Sequence, residues 1–545
     1  MKGNFINELK TVLKVAPFEY FLKFFTSIVI RSILLVIPIL FSYVIDCVTD
    51  KVFDKAILFI IISIVITLVY RLFEGFNQMA YYKLYNKLFS YYNKLALTKT
   101  VDNSLFSLSR FTSSSYSNIV IADVDIISGF FTAGVIRVVQ IIEFIVIYTY
   151  FLSLDFYIFI SAVAISLVMI VIAIKSGKKV QLLNEKRKTS LDEMGASAFD
   201  FFVSIKEIKS YHIFNEVSTL TNKNVDKYLK DNKNYNVKFN FDNHMFLYVF
   251  EAFRLLTVLY GIILVKDGHF AVGTLLIIYN YYQKIIDNFN TILTINVEYR
   301  NLIVSLNRFY KLVEYSKNNK KGLTVDKNHI KGNIELKNIL YGFRDNPTLN
   351  KASMNITENT ITVLSGRDEA AQNGIFDLLL KLNRQHEGSI KIGDIDIDEI
   401  DDSSYYNIIS SVRRQTAFFD VSIKDNFTMI NGDFNRVQFI CREIGLEEKI
   451  LKLPKGYDTV LTDNTPISQS TKKLIVIARL LLKESRILLI DDIINALDEE
   501  HETKVLNVLD KMKKDHTIVI ISNAKEIQDR ADKIFDVSDK VIKSM

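Results

Sequence analysis

Asp491 and Asp492 stand directly behind the apolar run Ile487-Leu488-Leu489-Ile490. Such a run suits a strand buried on both faces of a parallel sheet. The carboxyl end of that strand is where open α/β sheets place ligand chemistry. A carboxylate there can hold Mg²⁺, a hard cation that takes oxygen ligands and shares them with phosphates. Adjacent acids behind a strand are also common as plain solvated ends, so the pair alone is a weak signal. Thr360–Leu364 reads as another strand and leads into Ser365-Gly366-Arg367-Asp368-Glu369-Ala370-Ala371-Gln372-Asn373. A helix starting there would aim its first N–H groups outward as a weak anion site. Ile467-Ser468-Gln469-Ser470-Thr471 precedes Lys473–Lys483, which is mostly apolar, free of Gly and Pro, and expected to be a packed helix.

The elements that must position these residues occupy less than half of the chain. At 545 residues the length suits more than one domain. Hydrophobic residues make up 49%, and the mean hydropathy is +0.17, high for a soluble protein of this size. The long apolar runs concentrate in residues 19–295, whereas 325–545 reads as an ordinary α/β domain. Residues 5–20 are expected to form a short amphipathic helix. Six apolar stretches follow near 22–46, 56–76, 128–152, 156–175, 245–266 and 270–293. Each is long enough for the roughly 20 residues that cross a bilayer. The segments 77–127 and 176–244 are long and rich in Lys and Arg, which places them and both termini on the cytoplasmic side. The expected architecture is an α-helical six-span transmembrane domain over 1–314, a linker over 315–333 and an α/β domain over 334–545.

The net charge of +6 sits largely in loops flanking the apolar runs, and no basic stripe with interleaved aromatics points to nucleic acid. Cys47 and Cys441 lie in different halves, so free thiols are expected rather than a disulfide. Arg31, Arg137, Glu143, Glu251 and Arg254 fall inside spans. Charges there are expensive and often line a cavity or pair with one another. Two readings stand: a substrate cavity lined by Arg137, Glu143, Glu251 and Arg254, or structural pairing between the third and fifth spans, with Arg31 snorkelling to its helix end. Glu251 and Arg254 are also spaced to pair on one helix.

Taken in order, the chain resembles the ABC transporters of the exporter type, a six-span membrane domain fused to an α/β, P-loop NTPase-like ATP-binding cassette. The resemblance implies a role for each marked residue. Phe343 takes the place of the aromatic that stacks on adenine. Gly366 matches the first glycine of the Walker A loop, and Gly388-Ser389-Ile390 keeps the register downstream. Glu369 and Ala371 then stand for the middle glycines, Gln372 for the phosphate-binding lysine, and Asn373 for the Mg²⁺-binding Ser or Thr. Gln415 matches the Q-loop glutamine, a further Mg²⁺ contact. Ser468, Gln469 and Ser470 stand in the signature motif. Asp491 matches the Walker B aspartate, Asp492 replaces the catalytic glutamate, and Asn523 replaces the switch histidine. Asn495-Ala496-Leu497-Asp498 matches the D-loop. The coupling helices are expected near 119–124 and 210–216.

These departures alter the chemistry. Glycines let such a loop aim its N–H groups at phosphate. Glu369 brings negative charge toward phosphates, and Gln372 has no charge to place on them. Losing one preorganised donor costs about 3–4 kcal/mol in a catalytic site. Asp492 is one methylene shorter than glutamate, and about 1 Å of misplacement can cost roughly 10²-fold in rate. Asn523 cannot carry a proton. The expectation is a cassette with an impaired ATP and Mg²⁺ site. Within the resemblance, this makes the chain the degenerate half of a heterodimeric exporter in the cell membrane. A second half-transporter would bind the ATP, and the cargo would be a peptide, lipid-like or drug-like molecule. The alternative is a non-hydrolysing membrane receptor, immunity or regulatory protein on the same scaffold.

Overall fold

A computed structural model describes residues 2–101, 113–314, 322–343, 346–414, 418–462 and 465–544. The chain divides into two units, Met1–Lys94 with Asn118–Phe309, and Leu95–Ser117 with Tyr310–Met545.

The first unit is helical throughout. The amphipathic α1 (Lys2–Val15) stops before Pro17, which opens α2 (Pro17–Thr49) at the position where a missing N–H costs nothing. Then come α3 (Phe53–Val101), α4 (Val124–Leu154), α5 (Phe156–Val203), the short α6 (Ile205–Ser210), α7 (Phe214–Lys266) and α8 (Thr274–Glu314). The six long helices overlap the six expected stretches, and the described parts of the polar segments between them are mostly helical continuations, with residues 102–112 outside the described residues. The 53 residues of α7 make a rod of about 80 Å at 1.5 Å per residue. Asp155 is the whole connection between α4 and α5, and its carboxylate caps α5 by accepting from Tyr157 and Ile158 N–H. A π-helical turn over Ile119–Asp123 leads into α4. The helix expected near 210–216 is instead the break between α6 and α7. His212 is left-handed (φ 56°), and Ile213 N–H returns to Ile208 O at 3.1 Å, a helix-ending arrangement.

Among the described residues, four helices are long and apolar enough to cross a membrane: Pro17–Thr49, Phe53–Thr100, Tyr116–Leu154 and Phe214–Lys266. On α3, Ile57, Leu58, Ile61, Ile64, Val65 and Leu68 are exposed. Acyl chains solvate such a face as water cannot. The apolar part of α5, Phe156–Val171, is shorter. On α8 polar groups replace apolar ones because they face inward: Asn288 is fully buried and donates to Glu143 at 3.0 Å. The aromatics divide between the interior, where Phe151, Phe250 and Tyr282 lie fully buried in one cluster, and the exposed surface, where Phe18, Phe21 and Tyr157 lie.

The in-span charges are paired, though not between the third and fifth spans. Glu143 on α4 meets Arg31 of α2 at 3.0 Å and Lys284 of α8 at 4.0 Å. Arg31 therefore turns inward rather than snorkelling. Arg137 pairs with Glu298 of α8. Arg254 and Glu251 pair on one helix turn, and Arg254 also donates to Gln283 (2.7 Å) and Tyr279 (2.9 Å) of α8.

The cassette has two sheets. β1 (Ile334–Phe343), β2 (Asn346–Ile356), β4 (Glu387–Ile392) and β5 (Ile395–Asp396) form an antiparallel sheet in the order β2-β1-β4-β5. β3 (Ile361–Ser365), β6 (Ile409–Val412), β7 (Ile487–Asp491), β8 (Thr517–Ile521), β9 (Lys533–Ser538) and β10 (Val541–Ser544) form the second, ordered β10-β9-β3-β8-β7-β6. β9, β3, β8, β7 and β6 run parallel. β3, β7 and β8 are buried along their whole length, as their continuous apolar runs require. Helices α9 (Glu369–Leu379), α10 (Ile423–Thr428), α11 (Gln469–Leu482) and α12 (Glu499–Met512) pack on this framework. From Gly322 on, the expected linker lies against the cassette: Leu323 N–H donates to Glu399 O at 2.7 Å, and Ile330 joins the core.

Candidate nucleotide site

Parallel register assembles the site. Leu364 and Asp491 both pair with Ile521, so β3, β8 and β7 end side by side. Gly366, Ser522–Asn523 and Asp491–Asp492 therefore emerge at one edge of the sheet, the place where open α/β sheets bind ligands.

Gly366 has φ +128°, and a Cβ there would lie 2.3 Å from Val537 O, so only glycine fits. Its N–H donates to Asn523 Oδ1 at 2.9 Å, and its carbonyl accepts from Asn523 Nδ2 at 3.2 Å and from Gln372 Nε2 at 3.3 Å. Gln372 is buried, its amide folded back onto the loop. Asp368 caps α9, accepting from Ala371 N–H at 3.0 Å. The start of that helix thus holds a carboxylate of its own chain. Asn373 is half-buried one turn further on.

Arg414 has no role among the motifs marked in the sequence. Its guanidinium donates to Glu369 Oε1 at 2.7 Å and to Asp492 Oδ2 at 2.7 Å, and its Nε lies 3.7 Å from the buried Asp491. Glu369, which takes the place of a loop glycine in the resemblance, faces this arginine. The signal available in sequence was the dibasic pair Arg413-Arg414 just before Gln415. Burial raises the pKa of Asp492, Arg414 opposes that, and the neighbouring Asp491 adds to it. Asp492 is left-handed (φ 39°), and Asn495 donates to its carboxylate. Gln415 lies outside the described residues. Phe343 is 84% exposed at the end of β1.

The signature residues open α11. Ser468 is its N-cap, accepting from Thr471 N–H at 3.1 Å, and Gln469 is exposed in the first turn. Ser470 donates to Asp498 Oδ1 at 3.1 Å, and Asp498 also meets His501 Nδ1 at 2.6 Å. Partial desolvation raises the pKa of Asp498. Hydrogen bonds from His501, its own backbone and Ser470 outweigh this and hold the carboxyl down to about 2.

This donor set does not fit a magnesium nucleotide. Gln372, at the position expected for a phosphate-binding lysine, is a buried amide, the helix start is capped by Asp368, and the two acids expected at Mg²⁺ face Arg414.

Two family models match, the ABC transporter transmembrane region over residues 20–287 and the ABC transporter model over 349–495. A putative ABC transporter ATP-binding protein of Mycoplasma genitalium is 27% identical over 248 residues, 45% of this chain and 42% of that protein. An ATP-dependent lipid A-core flippase of Saccharophagus degradans is 30% identical over 208 residues, 37% of this chain and 36% of that protein. The matched part thus spans less than half the length of these relatives. A bacterial Atm1-family ABC exporter with ATP bound has the same fold, with a TM-score of 0.83 at 15% identity, covering 97% of this chain and 95% of that one.

Proposed function

The chain belongs to the ABC transporters, as an exporter-type half-transporter with membrane region and cassette in one multi-pass polypeptide, and from this premise we propose that it is the catalytically degenerate half of a heterodimer. In this reading the partner binds and hydrolyses ATP with Mg²⁺. This chain presents Ser468, Gln469 and Ser470 at the head of α11 to the partner's nucleotide and contributes half of the transport path. The cassette and both termini lie in the cytoplasm, and the cargo is a peptide, lipid-like or drug-like molecule. Arg137, Glu143, Glu251 and Arg254 line or brace that path.

The observation that carries the reading is the contrast between two helix starts. That of α9 is capped by Asp368 with Gln372 turned away. That of α11 is capped by the neutral, exposed Ser468 on an intact 14-residue helix. The test is recovery of the tagged chain from its native membrane, with mass spectrometry of what accompanies it. A second half-transporter with a sound Walker A lysine and catalytic glutamate is expected. Ser468→Glu should then abolish the ATPase activity of the pair by repelling the partner's nucleotide. Unchanged activity rejects the composite site. Recovery of the chain alone, or with an unrelated membrane protein, points to the non-hydrolysing receptor or regulator.

A further inference from the structure

We propose that Arg414 is a built-in cation standing where a divalent metal ion would otherwise be needed, so that the site is closed to metal by the chain itself. The proposal deepens the degenerate-cassette reading and rests on it. Three carboxylates converge on this guanidinium: Glu369 from the first turn of α9, and Asp491 and Asp492 from the end of β7. Carboxylates gathered this closely repel one another unless a cation lies among them. Two chemistries suit the position. One is a hard divalent ion, which takes one or two carboxylates and shares the rest of its shell with phosphate. The other is a guanidinium, whose planar fork of five donors addresses several oxygens and never loses its charge.

The site has the second. Two donors of Arg414 sit at 2.7 Å on two different acids, so the group bridges Glu369 to Asp492 as a metal would. Arg414 is about half exposed, and a single ion pair there would be worth little. A cation shared by three acids is a network, and its geometry is over-determined. Asp368 is the matching device of opposite sign at the head of α9. One guanidinium against three carboxylates leaves the locus negative, which opposes a nucleotide's phosphates. A metal ion entering would have to displace Arg414.

The experiment titrates Mn²⁺ alone into the EDTA-stripped full chain in lipid nanodiscs, following free Mn²⁺ by electron paramagnetic resonance. Wild type, Asp491→Asn, Arg414→Ala, Arg414→Gln and Arg414→Ala/Asp491→Asn are compared. Wild type should show no site that Asp491→Asn removes. Arg414→Ala and Arg414→Gln should each gain one Mn²⁺ site. That site should be about tenfold or more above background affinity, the scale on which single groups around a metal act, and the double variant should lose it. A wild-type Mn²⁺ site abolished by Asp491→Asn overturns the proposal, as does the lack of any gain in a folded Arg414 variant. Thermal unfolding establishes which variants fold. If neither Arg414 variant does, the wild-type and Asp491→Asn titrations decide alone. Recovery of a partner chain is independent of either outcome, so the heterodimer can stand or fall separately.

Discussion

Asp368 occupies the start of α9 as a ligand's phosphate would, and its worth can be read from helix stability. Asp368→Ala removes the side-chain acceptor that caps that helix start. The expected loss is about 1 kcal/mol, typical of an N-cap, and it should appear as a lower Tm of the purified chain. An unchanged Tm would mean that the cap is idle. Asp498 offers a test by pH. Its carboxyl is held from 3.8 down to about 2 in the fold, so its contribution is present above about pH 4 and is lost as pH falls through 2. The Tm difference between wild type and Asp498→Asn should therefore hold at neutral pH and shrink across that window. At this scale the sequence was half legible. The acid pair and its place behind a strand could be read, because an apolar run followed by two carboxylates is a local pattern. Arg414 could not be read, because it meets Asp492 across 78 residues and only the parallel register of β6 and β7 brings the two segments together.

At the scale of elements, Gly366 is the hinge on which the site turns. Gly366→Ala combines a left-handed backbone with a clash against a backbone carbonyl, so the end of β3 must move. The chain should then lose several degrees of Tm; a variant that melts like wild type would show that the turn relaxes freely. Asn426 anchors the loop before α10. It is buried, its amide donates to Phe419, Val421 and Ser422 carbonyls, and it accepts from Phe419 N–H. Its replacement by Ala removes these four bonds, but the three carbonyls keep backbone donors, so only Phe419 N–H loses its acceptor, and the expected loss is about 1–3 kcal/mol, read as a lower Tm. The long helices were legible because bilayer length and apolar runs leave few alternatives. The break at His212 was not, because nothing in Ser210–Ile213 demands a left-handed residue.

For the whole molecule, the polar interior of the membrane unit matters most. Glu143 is nearly fully buried between Arg31, Lys284 and Asn288. Glu143→Ala leaves buried cations without their carboxylate, a change that typically costs about 3–5 kcal/mol. Folded yield in the membrane should fall sharply, whereas Glu143→Gln, which keeps an acceptor for Arg31 and Asn288, should retain more. Equal yields would mean that water reaches this network and the cost is never felt. The pairing of Glu143 with α2 and α8 was beyond the sequence, because charge spacing along one helix does not say which neighbour it meets.

The arginine-bridged end of β7 also bears on kinetics. If the chain pairs with a competent half-transporter and Arg414 closes its own site, as proposed above, a single nucleotide site is left to fill. Its turnover should rise hyperbolically with ATP, with a Hill coefficient of one, and the transporter would follow the cell's energy charge as a dial rather than as a threshold.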